Sequence, residues 1–409
     1  MRIFLFFLLM GMIGCQQSGG GLYCDLGECI QVAKQKHTDN HQVIVCDLSL
    51  MKDTIVLPLS YLTETMCIVK MDDRAGMLLP GTNVTIGNDH ILVAGSYLFG
   101  KIPHKLFDKS GKFIVDIGAF GRGPGEYQRE IFHQQLDEKN NRIYLLPWDS
   151  NRILVYDLKG NPLDPIRLPT IIHIGIFRVN FVDSIVSIIV APVSDRRISA
   201  PPTTHFAWSQ DLSGRLIKGL SLSPKYLPIF DMSRFDANYI NSFGNTKAQD
   251  IYFSTWFNLR QDTLYHYDIQ TNQLTPQFTI EKKKKNLINN FCELPNHYLG
   301  NTSELREAMP PGLDVFNCKY FLVEKTSLKG SYIKLENDFL CNMVVNQPAY
   351  FFHDGYFVVN YEPIQLLEEL ENTLANKKMT SEMREKLIEL KSSIKETDNN
   401  YILYAKLKQ

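Results

Sequence analysis

A short turn recurs along the chain and strongly constrains what it can fold into. It reads Phe107-Asp108-Lys109-Ser110-Gly111 at its first clear occurrence and Tyr156-Asp157-Leu158-Lys159-Gly160 at its second. In each copy, the aspartate can cap the turn and the glycine can take the positive φ that a tight turn needs. Weaker copies end at Gly214 and Asn272, so the turn residues are 49, 54 and 58 positions apart. Periods of this length, with four strands each, are typical of β-propeller blades.

Short strand-like runs separated by turn residues fill these periods. The two clearest sets of four lie at 83–86, 90–94, 104–108 and 112–117, and at 133–137, 142–146, 152–157 and 162–168. Further sets lie at 318–324, 331–335 and 338–344, and at 349–353 and 356–361. Most of the 24 Phe and 19 Tyr fall in such runs, where aromatic side chains pack well on a pleated surface. The sequence therefore predicts an all-β fold, a six-bladed β-propeller.

The last blade contains a change of period. From residue 364 onwards, Leu366, Leu370 and Leu374 share one helical face, and Thr380 is suited to cap a second helix. We therefore expect a two-helix insertion at about 364–397, near the C-terminus, followed by a closing strand at 401–407. An N-terminal strand from residues 41–71 would complete the same blade and close the ring. On this interpretation, residues 41–409 are a single β-propeller domain.

The segment 118–127 holds four glycines and a proline between two strand-like runs. Such a composition excludes regular structure and indicates a shaped loop, for which we expect a positive φ at Gly123. A phosphate cradle with Arg122 as its counter-charge is the alternative, but it needs a strand–loop–helix unit. Because hairpin-like strands follow here, we interpret the segment as a connector between the first two blades.

Three segments carry a resemblance to known proteins: GRGPGEY at 121–127, DSNRILVYD at 149–157 and RQDTLY at 260–265. The first two resemble the NHL-type propeller repeat, although Leu146-Pro147-Trp148 departs from its usual small residue and aspartate. GRGPGEY and RQDTLY, together with the helices before the last strand, are similar to the six-bladed β-propeller lipoproteins of anaerobic bacterial envelopes. The resemblance implies that loops 118–127 and 148–152 lie on one face, near the channel mouth. The ligand-binding residues expected on that face are Arg122, Glu126, Trp148, Asp149 and Arg152.

The N-terminus has the pattern of an export signal. Met1 and Arg2 precede an apolar run that ends at Gly14-Cys15, which resembles a bacterial lipobox. On this interpretation, residues 1–14 are a lipoprotein signal peptide, Cys15 is lipidated, and residues 15–40 are a tether and leader. No acidic residue directly follows Cys15. By resemblance to Gram-negative lipoproteins, this implies sorting to the outer membrane. An ordinary cleaved signal peptide, with Cys15 lost, is the alternative.

Seven cysteines follow Cys15, and their odd number leaves at least one unpaired. Cys24 and Cys29, followed by His37 and His41, superficially match a zinc ligand set. The spacer between the cysteines and the histidines is short, so we expect a Cys24–Cys29 disulfide or free thiols instead. No metal and no cofactor is expected.

Charge and motif content bear on the function class. The formal net charge is -1 and the pI is near 6.8, so net charge gives no electrostatic attraction to nucleic acid. The ten histidines occur in no nucleophile motif. A catalytic or metal site could still be assembled across blades, and His133 and His353, on expected inner strands, are its candidates. The alternative is that these histidines are packed or solvated. Trp256 could be an aromatic platform or a core residue. The lysines at 282–285 indicate a solvated loop, and a docking patch for an acidic surface is the alternative.

These observations favour an envelope-anchored, non-catalytic propeller that binds a partner protein or glycan through one face of its ring. The alternative is a hydrolase or lyase that acts on carbohydrate or peptide at the central channel mouth. A membrane contact through lipidated Cys15 is expected in either case, and the sequence does not indicate an oligomeric state.

Overall fold

In a computed structural model of the protein, the described residues are 26–38, 41–190, 205–221, 239–254, 263–281, 287–308, 312–346, 348, 351–375 and 379–409. They form six blades around a central channel, which confirms the predicted six-bladed β-propeller. The strands that precede the first blade are β1 (Ala33–Thr38), β2 (His41–Cys46), β3 (Thr54–Pro58) and β4 (Thr63–Lys70).

Blades 1 to 3 are four-stranded antiparallel sheets. In every blade we name the first four strands A to D from the channel outwards. Blade 1 contains β5 (Val84–Ile86), β6 (His90–Val93), β7 (His104–Asp108) and β8 (Phe113–Ile117). A short parallel pair, β9 (Ala119–Phe120) and β10 (Glu126–Tyr127), follows. Blade 2 contains β11 (Ile131–Asp137), β12 (Arg142–Pro147), β13 (Ser150–Tyr156) and β14 (Pro162–Ile172). Blade 3 contains β15 (Gly175–Asn180), β16 (Ile185–Val190), β17 (His205–Asp211) and β18 (Leu216–Ser221).

Blades 4 and 5 carry additional strands at their outer edges. Blade 4 contains β19 (Tyr239–Asn241), β20 (Gln249–Ser254), β21 (Thr263–Asp268) and β22 (Gln273–Ile280), to which β2 adds in parallel and β1 follows. Blade 5 contains β23 (Leu287–Glu293), β24 (His297–Ala308), β25 (Gly312–Glu324) and β26 (Gly330–Asn337), extended by β27 (Met343–Val344) and by β3 in parallel. Residues 33–38, assigned above to the leader, are thus part of a sheet.

Blade 6 closes the ring with a strand from the N-terminal part of the chain. Its strands are β28 (Phe352–His353), β29 (Tyr356–Tyr361), β30 (Tyr401–Leu407) and, outermost, β4. The register aligns Leu403 with Ile68 in the antiparallel pair of β30 and β4. The prediction that a strand from residues 41–71 completes this blade is therefore confirmed, and the pairing of β4 with β30 closes the ring.

The recurring turn lies between strands C and D, as predicted. Asp108 accepts the N–H groups of Ser110 at 2.9 Å and Lys112 at 3.1 Å, while Gly111 takes a φ of 85°. The same capping recurs at Asp157, Asp211 and Asp268. Positive φ recurs at Gly160, Gly214 and Asn272. A local chemical pattern thus sets the spacing of the first four blades.

Blade 5 differs from the sequence-based assignment. The expected third strand at 338–344 is a short 3₁₀ turn at Asp338–Leu340 followed by the two residues of β27. The first two strands of the blade are instead β23 and β24. Their polar residues Asn289 and Asn301 are buried, so these strands lack the apolar alternation that marks a strand in the sequence.

Two helices lie between β29 and β30, as predicted: α1 (Pro363–Leu374) and α2 (Ser381–Ser393). Thr380 caps α2 by accepting the N–H of Met383 at 3.2 Å. The helices bury Leu366, Leu370 and Leu387 in a cluster shared with blade 6. No helix in the described ranges is long and apolar enough to cross a membrane.

Candidate functional site

The two ends of the ring differ in their chemistry. We call the end that carries the B–C loops the loop face, and the end that carries the A–B and C–D turns the turn face. The turns of one blade contact each other there, since Lys109 in a C–D turn donates its N–H to Asp89 in the A–B turn at 3.1 Å. Each inner strand runs from the loop face to the turn face.

The B–C loop of blade 1 presents an apolar tip on the loop face. Leu98 is 69% exposed and Phe99 is 70% exposed. A backbone bridge between Ser96 and Ile102 closes the neck of this loop. Sequence analysis did not identify this tip; its only local signal is the run Tyr97-Leu98-Phe99 between two glycines.

Glu130, just before β11, holds this tip in place. Its carboxylate accepts the N–H of Tyr97 at 2.8 Å and that of Leu98 at 3.2 Å. Its backbone carbonyl accepts the N–H of Trp148, in the B–C loop of blade 2, at 2.8 Å. One residue therefore links the two loops, and we call Leu98, Phe99 and Trp148 the loop-face patch.

Trp148 and Asp149 lie together on this face. The Trp148 side chain is 42% exposed, and its ring lies 6.3 Å from the ring of Phe132. Asp149 takes a φ of 53° and contacts His173, which follows β14. Arg129 lies 3.9 Å from the same carboxylate.

The glycine-rich loop connects β8 of blade 1 to β11 of blade 2. Its Phe120 ring lies 5.6 Å from Tyr97, so the loop flanks the apolar tip. Glu126 turns inwards and accepts the N–H of Gly123 at 2.7 Å, whereas Arg122 is exposed. The positive φ values belong to Gly118 and Gly125, not to Gly123, so that expectation was wrong.

The A–B loop of blade 4 crosses part of the channel at the turn face. Buried Asp250 shapes it by accepting the N–H groups of Phe243 and Gly244 at 3.0 and 2.9 Å. Burial raises the pKa of this carboxyl. Asn245 donates to the carbonyls of Glu293 in blade 5 and Phe352 in blade 6, at 3.1 and 2.9 Å. The loop is thus joined to both following blades.

A cavity of about 540 Å³ lies in the remaining part of the channel, at the turn face. It is lined by the inner strands of blades 1 to 3, the blade 4 loop and Asp354 from blade 6. His133 lies on its wall, and burial lowers the pKa of this imidazole to about 4. Arg178 and Gln249 line the same space. None of the five residues expected to bind a ligand lines this cavity.

Other residues singled out in the sequence have separate positions. His353 is beside the cavity residue Asp354, 3.6 Å from its carboxylate. Cys46, Cys67, Cys292 and Cys318 form no disulfide within the described part of the chain. Trp256, Cys15, Cys24 and residues 282–285 lie outside the described residues. Where side chains are described, no group of three or more His, Cys, Asp or Glu is placed to hold a metal ion.

The chain is therefore a six-bladed β-propeller with an apolar patch at one end of its ring and a polar cavity at the other. Sequence comparison identifies its family within this class: the family described as Domain of unknown function (DUF4934) matches residues 42–406. Since the match spans most of the chain, the protein belongs to this family. No curated protein matches the sequence.

Comparison with solved structures finds similar proteins at low sequence identity. A protein of Bacteroides fragilis NCTC 9343, described as exported, is 16% identical, with 88% of this chain and 99% of that chain covered and a TM-score of 0.56. A member of the DUF4221 family from Bacteroides vulgatus is 12% identical, with 85% and 97% covered and a TM-score of 0.44. At 16% identity, the similarity to the Bacteroides fragilis protein extends to the fold alone.

Proposed function

We propose that this protein is an exported, lipid-anchored propeller that binds a partner protein through its loop face. The observation that carries the proposal is the loop-face patch, in which Leu98, Phe99 and Trp148 are exposed yet held by Glu130. Apolar side chains that a fold fixes in an exposed position are typical of protein interfaces, whose cores are rich in aromatic residues. Preorganisation of these loops lowers the entropy lost on binding.

A protein partner fits the patch better than a glycan does. Trp148 with Asp149 beside it could also stack on a sugar ring, but Leu98 and Phe99 add apolar surface at a projecting tip, which suits a protein partner. On the same face, Arg122 in the glycine-rich loop, Arg129 before β11 and Arg152 near the start of β13 are exposed. A partner that presents apolar side chains flanked by acidic residues would complement both features.

The envelope location is part of the same proposal. The protein of similar fold from Bacteroides fragilis is described as exported, which supports export of this chain as well. The lipobox resemblance at Cys15 and the uncharged residues after it support an outer-membrane lipid anchor. Replacing Cys15 with Ala should abolish incorporation of an alkynyl fatty acid in producing cells. Labelling that persists in this variant would remove the anchor from the proposal without affecting the loop-face patch.

Site-specific photocrosslinking tests the binding face. A benzophenone amino acid at position 99 should give discrete protein adducts in cells that produce the protein. The matched control is position 182, where Val182 is 71% exposed in the A–B turn of blade 3, at the opposite face. Adding Leu98→Asp or Trp148→Ala should remove the position 99 adducts. Equal adducts from both positions, or adducts that disappear on glycosidase treatment, would contradict a protein partner at the loop face.

A further inference from the structure

The polar groups of the channel cavity fall into two sets. Most are occupied by the fold: Gln135 is bonded to the backbone of Val179 in both directions at 2.8 Å, and Asn140 is bonded to Asp137. Others, including Gln249 and His133, keep a polar atom that makes no hydrogen bond within the described residues. Gln249 is 4% exposed, and its Nε2 has no hydrogen-bond partner among the described residues. The same is true of His133 Nδ1.

A hydrogen bond to its side-chain carbonyl oxygen orients the amide group of Gln249. Its Oε1 accepts the Ser187 hydroxyl at 2.8 Å, and its Nε2 is an unpaired donor just beneath the surface of the cavity that Gln249 lines. A buried donor without an acceptor costs about 1–3 kcal/mol, and a bound acceptor removes that cost. A rotation of the Gln249 side chain towards the cavity would bring this donor to a ligand's acceptor.

Two opposite charges flank His133. Arg178 uses one guanidinium nitrogen to bond the carbonyl of Lys247 at 3.2 Å, and Lys247 is two residues from Gln249. Arg178 and Gln249 thus supply donors near each other. Asp354 is held beside the blade 4 loop, since its N–H donates to the carbonyl of Phe243 at 2.7 Å, and its carboxylate is half exposed. The cavity therefore combines a cation, an anion and neutral hydrogen-bonding groups.

We propose that this cavity binds a small carboxylate that also carries hydrogen-bond donors. Arg178 and the Gln249 amide would receive the carboxylate oxygens, because a guanidinium binds carboxylates through parallel hydrogen bonds. Asp354 and His133 would accept from the ligand's donors. A hexuronate, with hydroxyl donors, and a free amino acid, with an ammonium group, share this chemistry. A volume of about 540 Å³ lies within the usual range of ligand pockets.

Calorimetry and thermal shift on the purified mature protein test the proposal. The probes are glucuronate and galacturonate in one arm, and glutamate and alanine in the other. Acetate, a carboxylate without donors, and glucose, which has hydroxyls but no carboxylate, are the controls. We expect one arm to give binding heat and a raised melting temperature, because a ligand of the native state stabilises it. No response to either arm, or an equal response to acetate or glucose, would overturn the proposal.

Variants locate the binding within the cavity. Arg178→Met should weaken binding about tenfold or more, the effect of losing one charged interaction. Arg215→Met is the matched control, since Arg215 is exposed in the C–D turn of blade 3. Gln249→Glu serves if Arg178→Met does not fold, because it keeps the Ser187 contact and places an anion against the ligand's carboxylate. Binding that survives in every folded cavity variant would refute this site.

Asp354→Asn separates the two ligand sources. Asparagine tolerates the φ of 52° at this position, so the change should leave the fold intact. An amino acid would lose an ion pair and bind about tenfold more weakly, whereas a hexuronate would keep its hydrogen bonds and bind nearly as before. The site lies at the opposite end of the inner strands from the loop-face patch, so either proposal can fail alone.

Discussion

One glycine in the connector between blades 1 and 2, Gly125, is required by its geometry. Gly125 takes a φ of 72°, and a Cβ there would lie 2.4 Å from the Cβ of Pro162. Tyr156 fixes the same residue by donating its hydroxyl to the Gly125 carbonyl at 2.7 Å. Gly123 differs, since a Cβ there would meet only the flexible end of Glu126, at 3.1 Å.

We therefore expect Gly125→Ala to destabilise the protein by about 1–3 kcal/mol, because an L-residue is strained at positive φ and Pro162 cannot move freely. Gly123→Ala is the matched control and should have a smaller effect. Urea denaturation followed by tryptophan fluorescence measures both. If the two variants unfold at the same urea concentration, the assignment of strain to Gly125 is wrong.

At the scale of residues, the sequence predicts local features and not the cavity. The capping aspartates and turn glycines could be recognised because they lie within five positions of one another. His133, Arg178, Gln249 and Asp354 are separated by 45, 71 and 105 positions, and each comes from a different blade. Their proximity follows from ring closure, so His133 alone was singled out, from its expected place on an inner strand.

The helical pair is an element attached to blade 6 by one apolar face. Leu370 of α1 is fully buried in the cluster that includes Tyr401 and Leu403 of β30. Leu370→Ala should cost about 2–5 kcal/mol, through lost burial and a residual cavity. Ile364 of the same helix is 51% exposed, and Ile364→Ala should change stability by no more than about 0.5 kcal/mol. Comparable losses in the two variants would show that α1 does not pack by this face.

Blades 4 and 5 are joined by a buried ionic cluster. Glu293, 3% exposed, is bonded to His266 of blade 4 and to Lys325 of blade 5, each at 2.5 Å. Burial alone would raise the pKa of Glu293, but the bonds from His266 and Lys325 lower it overall. A carboxylate held in its charged form between two blades fixes their relative position.

Glu293→Gln should therefore destabilise the protein by roughly 2–3 kcal/mol. This is less than the 3–5 kcal/mol of a fully buried pair, because Lys325 can partly reach water. Glu382→Gln, which breaks the exposed pair with Lys386 on α2, should have no measurable effect. Thermal unfolding compares the two, and an unchanged melting temperature for Glu293→Gln would show that the cluster does not join the blades.

Elements were predictable where their pattern is local and strictly alternating. Blades 1 and 2 follow a period of 49 residues, and their strands agree with the sequence-based ranges within a few residues. The inner strands of blade 5 could not be assigned in this way. Buried Asn289, Asn301 and Ser303 interrupt their apolar pattern, since hydrogen bonds in the interior can replace apolar packing.

At the scale of the whole molecule, the ring closed by β4 has two faces of different chemistry. The loop face carries the patch proposed to bind a partner protein, and the turn face holds the cavity proposed to bind a small carboxylate. The inner strands separate them, so a ligand in the cavity and a partner on the patch would not compete for the same residues. Buried histidines in blades 1, 2 and 5 make the stability of this ring sensitive to pH.

We expect stability to fall as the pH falls below the usual histidine pKa of about 6.5. Burial lowers the pKa of His104 to about 3 and those of His133 and His297 to about 4. Between these values and 6.5 the unfolded chain binds more protons than the folded chain, so stability is full above pH 6.5 and is lost as the pH falls through this window. His104→Gln should reduce the loss between pH 7.5 and 5.0 by up to about 2 kcal/mol, measured by urea unfolding at both pH values. His41→Gln, at the first residue of β2, controls for the loss of an imidazole. An undiminished pH dependence in His104→Gln would contradict a neutral His104 in the fold.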